Sequence, residues 1–319
     1  MVEPAEVTDE LAVKSVRRFP TQPAVLWAAC KACNTEAQYE RLKAAWFPTV
    51  TTPEQLAIGV RPMAHAAIRA ERFAEANAMF AEACLYDLRG ESSGGPLPTK
   101  ELRGTGAASV VDDVGSVLDE LGVPYFIAAG TALGVVRDGK PLDHDSDIDI
   151  GVFDEHYDRQ VLLDAFRAHP SFDFDTPHPS SPKVGLVHRR GAIIDIFRFY
   201  EEAGRVFHDG VFVRWFNTPF ETAPRDVGGR QINLPAPDDE YLTECYGDWR
   251  TPDPTFDAFV HGPNAEIVWP EYFAAHRMRR AYRFIRGLDL LAASEELKAI
   301  RPELEASVAG RALIKELSL

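Results

Sequence analysis

Cysteine is scarce in this chain, with four residues in 319, too few for a disulfide scaffold. The one CxxC, Cys30-Lys31-Ala32-Cys33, has no second pair at zinc spacing and no strand leading into it. Packing in a helical stretch near Leu26 and Trp27 is therefore preferred over a redox or zinc role. Basic charge is short as well. Lysine and arginine total 34 against 49 acids, a formal net charge of −15, which argues against nonspecific nucleic-acid binding. No apolar run approaches the roughly 20 residues needed to span a bilayer. Met1 to Arg18 is charged and has no signal-peptide core. These absences predict a cytoplasmic protein without a membrane span. What remains is ordinary for a globular chain, 45% hydrophobic and 26% charged, and its length suits one large domain or two smaller ones.

Against that background, Asp145-Ser146-Asp147-Ile148-Asp149-Ile150 is the most informative stretch. As a strand it would place Asp145, Asp147 and Asp149 on one face. Like charges so close raise one another's pKa unless a cation sits among them. Hard oxygen ligands suit Mg²⁺, which keeps waters and is completed by substrate phosphates. An acidic strand edge facing solvent is the bland alternative.

The context favours the metal. Val110, Val111, Val114, Val117, Leu118 and Leu121 recur at helical spacing and predict a helix over 101–121, closed by Gly122-Val123-Pro124. Tyr125 to Ala129 reads as a buried strand, broken by Gly130-Thr131, with one or two helical turns from Ala132 to Arg137. A strand passing through glycine into a helix start leaves backbone N–H groups that suit phosphate. A second strand is expected from about Ser146 to Phe153, and a helix over 154–167. Asp195 lies in the β-prone run 191–199, flanked by Ile194 and Ile196. A buried carboxylate there needs an Arg partner or a place beside Asp147 and Asp149 with a metal. The second is preferred.

Gly-Thr, a short helix, Asp-x-Asp on a strand and a third Asp on a later strand resemble the nucleotidyltransferase fold. More narrowly, Gly130-Thr131-Ala132-Leu133-Gly134-Val135-Val136-Arg137 with Asp145 to Gly151 resembles the LicD/fukutin family. Ile194-Asp195-Ile196-Phe197 resembles that family's third-carboxylate strand. Ile232-Asn233-Leu234-Pro235, Tyr241-Leu242 and Tyr246-Gly247-Asp248-Trp249 resemble its closing motif, so the likeness runs over about 105–255. His144 departs from it, standing where the family often has an aromatic residue.

The resemblance implies an α/β fold, a small mixed sheet flanked by helices with a helical N-terminal region and a helical C-terminus. It implies metal-dependent transfer of a phospho-alcohol group (phosphocholine, ribitol phosphate or glycerol phosphate) from a CDP-linked donor to a glycan. Asp147, Asp149 and Asp195 would be catalytic and hold Mg²⁺, with Mn²⁺ as the alternative ion. Gly130 and Thr131 would cradle the donor phosphates, and Arg137, Lys183 and Arg225 would steady them. Asp195 either completes the metal site or accepts the proton of the attacking hydroxyl. Asp145 binds a second cation or stands solvated at the strand entrance, the latter preferred. Two other readings stay open, transfer of NMP from an NTP and a non-catalytic scaffold in polysaccharide assembly.

Outside that span, residues 1–88 read as a helical accessory region, a candidate docking module for a protein partner. Ala66, Ala67, Ala70, Phe73, Ala76, Phe80 and Ala83 suggest a helical hairpin with small residues at the contact. Arg89 to Pro96 is the clearest linker. The catalytic domain is expected over 101–319, including helical residues 271–319. There Arg279, Arg283 and Arg286 would align on one face, most simply as a solvated basic face.

Overall fold

The computed structural model describes residues 4–91, 106–142, 145, 147–174, 178–227 and 230–319. Residues 92–96 of the expected linker, 101–105 of the expected helix, His144, Ser146 and Pro177 lie outside the described residues. In chain order the helices α1 (Pro4–Arg18), α2 (Pro23–Lys31), α3 (Glu36–Trp46), α4 (Pro53–Arg69) and α5 (Phe73–Leu88) come first. Next are α6 (Ala107–Glu120), β1 (Phe126–Ile127), α7 (Ala129–Asp138), β2 (Asp147–Phe153), α8 (Arg159–Ala168), β3 (Phe172–Phe174) and β4 (Val184–His188). Strands β5 (Ile193–Glu202), β6 (Arg205–Asp209), β7 (Val213–Asn217), β8 (Glu221–Val227) and β9 (Arg230–Ala236) follow. The chain continues through α9 (Asp238–Tyr246), α10 (Ala258–His261), β10 (Ala265–Ile267), α11 (Pro270–Arg286), α12 (Leu290–Ala299), α13 (Arg301–Glu305) and α14 (Val308–Glu316).

Two compact units result. The first is all-helical and joins α1–α5 to Trp269 and α11–α14. The expected grouping of 271–319 with the catalytic region is corrected by this arrangement. Its physical cause is the apolar face of α11, which packs on α5 through Phe80 against Tyr282 (ring centroids 5.4 Å) and Phe73 against Tyr272 (5.4 Å). The expected α4–α5 hairpin is present, with Ala66, Ala67, Ala76 and Ala83 buried at its contact. Pro53 and a Thr52/Gln55 capping box start α4, satisfying N–H groups that the helix itself leaves unpaired. Gly59 lies so close to Trp46 that a Cβ there would stand 1.9 Å from its ring, so this crossing requires glycine. Cys30 and Cys33 are buried and free. Burial pushes the Cys33 thiol up to about 11 and that of Cys30 higher still, the behaviour of packing residues rather than metal ligands.

The second unit holds α6–α10 and β1–β10. It is a mixed α/β fold as expected, with its main sheet in the order β1-β2-β5-β6-β7-β10. Strands β2 and β5 run parallel with Asp149 beside Asp195, while the other pairings are antiparallel. The far edge of β5 is shared. Its first half pairs with β4 and its second half with β6. Ile148, Ile150, Ile194 and Ile196 point into a core that also takes Val110, Val114 and Leu118 of α6 and Leu162 and Phe166 of α8. Period-two alternation thus leaves Asp147, Asp149 and Asp195 on the opposite sheet face. Asp158, accepting from the N–H groups of Gln160 and Val161, caps α8, so the expected helix over 154–167 starts later. Strands β8 and β9 form a separate hairpin sheet, and β9 lays Ile232 and Leu234 on the same core.

Candidate active site

The site begins at the junction of β1 and α7. Helix α7 starts at Ala129, three residues before the sequence reading placed it, so Gly130 and Thr131 form its first turn. Ala129 takes a positive φ of 42°, a conformation costly for a residue with a Cβ. Its N–H donates to the Tyr241 hydroxyl at 3.1 Å. The next N–H, of Gly130, donates to Asp149 Oδ2 at 3.1 Å, and the Asp149 N–H donates to Thr131 Oγ1 at 2.8 Å. The positive end of α7 therefore meets a carboxylate, a favourable charge pairing.

Asp145, Asp147 and Asp149 each offer a carboxylate oxygen, and these oxygens lie within 4.8 Å of one another. Asp145 precedes the strand rather than belonging to it, and its half-buried carboxylate lies beside the other two. Gly130 makes the approach feasible, since a Cβ there would stand 2.6 Å from Asp145 Oδ2 and 3.5 Å from Asp149 Oδ2. Burial above all, then the charges of Asp147, Asp145 and Asp195, hold Asp149 well above the usual carboxylate range, with Lys183 pulling the other way. Three hard oxygen donors with no room for a side chain beside them fit a divalent cation such as Mg²⁺.

Asp195, buried on β5, is ion-paired through Oδ2 with Lys183 at the start of β4. Burial works against the Lys183 charge, but Asp195, Asp147 and Asp149 outweigh it and raise the ammonium pKa. Lys183 also lies 5.5 Å from the Phe197 ring centroid. A cleft of about 370 Å³ opens beside Lys183, lined also by Tyr157, Arg159, Arg198, Asp154 and Asp209.

The structure does not bring the remaining candidates to this group. Arg137, in the last turn of α7, contacts Asp138 (3.3 Å) and the Trp249 carbonyl (3.5 Å). Arg225, on the β8 hairpin, is ion-paired with Asp238. Both guanidinium groups hold structure here rather than reach toward the carboxylates. Sequence reasoning placed no role on Tyr241, whose hydroxyl closes the α7 start. Its signal was present in the Tyr-Leu pair of the closing motif. Trp249 of the same motif is buried and donates through Nε1 to Asp239 at 3.2 Å.

Residues 122–236 match the family model for the LicD/FKTN/FKRP nucleotidyltransferase domain. Over these residues the chain is similar to the LicD/fukutin family. Ribitol-5-phosphate transferase FKTN from Macaca fascicularis and from Homo sapiens each align over 171 positions at 26% identity. Each alignment takes 48% of this chain and 35% of the relative, so the chain spans about a third of the length of the curated relatives it matches. Among solved structures, ANT(2")-Ia in complex with adenylyl-2"-tobramycin aligns at 11% identity and a TM-score of 0.29, over 57% of this chain and 95% of that one. The LicD-type match covers β1 to β9, including Gly130, Asp145, Asp147, Asp149, Lys183 and Asp195.

Proposed function

We propose that this protein transfers a phospho-alcohol group from a CDP-linked donor to a hydroxyl of a glycan. The observation that carries the reading is the carboxylate group of Asp145, Asp147 and Asp149 packed against a glycine in the first turn of α7, within a LicD-type domain. The FKTN relatives, named for ribitol-5-phosphate transfer, support the choice of a phospho-alcohol. Asp145, Asp147 and Asp149 would hold Mg²⁺ or Mn²⁺. When bound, the ion supplies neutralisation of charge on the phosphate oxygens of donor and leaving group.

This chain's own residues supply the rest. Lys183 turns from Asp195 toward a donor phosphate, contributing a point charge in a partly buried setting. Asp195, one strand from the three-acid group, then accepts the acceptor's proton. A bond forms between the acceptor oxygen and the donor phosphorus bearing the alcohol. The bond from that phosphorus to CMP breaks, and CMP leaves with the electron pair. The polar cleft beside Lys183 receives the acceptor, whose hydroxyls suit its paired charges.

Transfer of NMP from an NTP is the second reading, favoured by the nucleotidyltransferase description of the domain itself. Isothermal titration with CDP-ribitol, CDP-glycerol, CDP-choline, CTP and ATP separates the two. Cation-dependent binding of one CDP-alcohol, abolished by EDTA and by Asp147→Ala, is the expected result. Preference for a triphosphate would move the protein to the second reading. Failure to bind any of them would defeat both.

A further inference from the structure

Helix α7 opens without the usual capping device. Its N-cap is Ala128, which has no side-chain oxygen to accept from the first turn, and no acid stands in that turn. The first N–H groups are met from other elements instead. The Ala129 N–H donates to the Tyr241 hydroxyl of α9 at 3.1 Å, and the Gly130 N–H donates to Asp149 Oδ2 of β2 at 3.1 Å. Two more bonds tie this turn to the Asp149 backbone. The Ala128 N–H donates to its carbonyl at 3.0 Å, and its own N–H donates to Thr131 Oγ1 at 2.8 Å.

The Tyr241 bond falls on the strained residue. Ala129 has a φ of 42°, and a residue with a Cβ leaves that region unless its surroundings hold it there. Peptide groups are planar, so φ and ψ of Ala129 are the only torsions between its N–H and that of Gly130. Anchoring the first N–H on Tyr241 therefore restricts the direction of the second. That second N–H is the one that holds the Asp149 carboxylate.

The hydroxyl is itself fixed in place. The Tyr241 ring is buried in the core of the α/β unit. Its O–H donates to Cys245 Sγ, one turn further along α9. The same sulfur accepts from Asn217 Nδ2 at the end of β7 and from Asn264 Nδ2 just ahead of β10, each at 3.5 Å. Asn217 Nδ2 is held in turn by Glu244 Oε2 at 2.9 Å. With its proton committed to sulfur, the Tyr241 oxygen presents lone pairs to the Ala129 N–H.

We propose that Tyr241 is a positioning residue for the carboxylate site. Its hydroxyl holds Ala129 in the left-handed region, keeps the Gly130 N–H on Asp149 Oδ2, and so sets where the Asp149 carboxylate stands for the cation. The inference rests on the cation reading of that site, and its experiment separates the two.

Tyr241→Phe keeps the ring and removes the hydroxyl. Amide hydrogen exchange, followed by NMR in EDTA, reads the coupling without metal. The Gly130 amide should exchange about tenfold faster in the variant although its own acceptor is untouched. The Val135 and Val136 amides, later in α7, should keep the parent rate. Mg²⁺ affinity by calorimetry should fall about tenfold as well. Ala129→Gly added to Tyr241→Phe should recover part of both losses, because glycine takes a positive φ without strain. Tyr241 acting only in stability would lower the Tm of Tyr241→Phe and speed the three α7 amides alike, with Mg²⁺ affinity unchanged. That outcome overturns the proposal, as does a double variant that exchanges and binds no better than Tyr241→Phe. A parent chain that takes up no Mg²⁺ would defeat the cation reading by itself. Gly130 exchange would then still decide whether Tyr241 positions Asp149.

Discussion

Gly130 decides how closely Asp145 and Asp149 approach the α7 start, because a Cβ would stand 2.6 Å from Asp145 Oδ2. That oxygen ends a side chain and can be displaced, so Gly130→Ala should fold. Alanine in a helix even gains about 0.5–1 kcal/mol over glycine. The expected outcome is a Tm unchanged or slightly raised, with Mg²⁺ affinity by calorimetry down about tenfold, a cost of roughly 1.4 kcal/mol. A variant that binds Mg²⁺ like the parent would remove Asp145 from the cation group. Asp149 carries a second consequence. Burial and its acidic neighbours raise its folded pKa above the ordinary value of 3.8. The folded state then favours the protonated form, and the contribution to stability declines as pH rises from the unfolded toward the folded pKa. In EDTA, the Tm should fall with rising pH through that window, and Asp149→Asn should flatten the decline. Added Mg²⁺ should raise the Tm most at the upper end. A Tm that climbs through this window in EDTA, in parent and variant alike, would contradict the assigned shift.

At the scale of elements, burial of charge is managed by neighbours distant in sequence. Glu296 of α12 is buried, and it accepts from Arg280 Nε at 2.8 Å and Arg277 Nη1 at 3.0 Å, both on α11. Truncating one partner of such a pair strands the other's charge, at about 3–5 kcal/mol. Glu296→Ala should lose that much in chemical denaturation, whereas a loss under 1 kcal/mol would mark the pair as solvent-screened. The same logic governs Asp195. Its place between Ile194 and Ile196 announced a buried acid, and strand alternation put it on the Asp149 face. The partner, Lys183, lies in a Pro- and Ser-rich stretch with no periodicity of its own, and only the antiparallel register of β4 on β5 brings the two together. Helix α7 was placed late from the sequence because glycine and threonine are weak helix formers. Contacts from Tyr241 and Asp149 hold its first turn instead.

For the whole molecule, the division into units follows burial rather than chain order. Residues from Trp269 onward complete a core begun by α1–α5. A chain ending at Val268 should therefore expose the apolar face of α5, so limited proteolysis should cut α4 and α5 readily while β2 to β9 resist. Protection of α4 and α5 in the truncated chain would overturn this division. No helix among the described residues is long and apolar enough to cross a membrane, in line with the absence of long apolar runs.

The sequence by itself determined the mixed α/β character, the apolar faces of α4 and α5, the buried role of Cys30 and Cys33, and the face shared by Asp147 and Asp149. Each depends on local periodicity or composition, which short-range chain geometry translates directly. Tertiary structure alone decided that Asp145 joins the carboxylates, that Arg137 reaches the Trp249 carbonyl, that Arg225 pairs with Asp238, and that Tyr241 closes α7. Most of these join residues from separate elements, and where a charged side chain finds its partner depends on which surfaces the cores leave adjacent. No window of sequence contains that information.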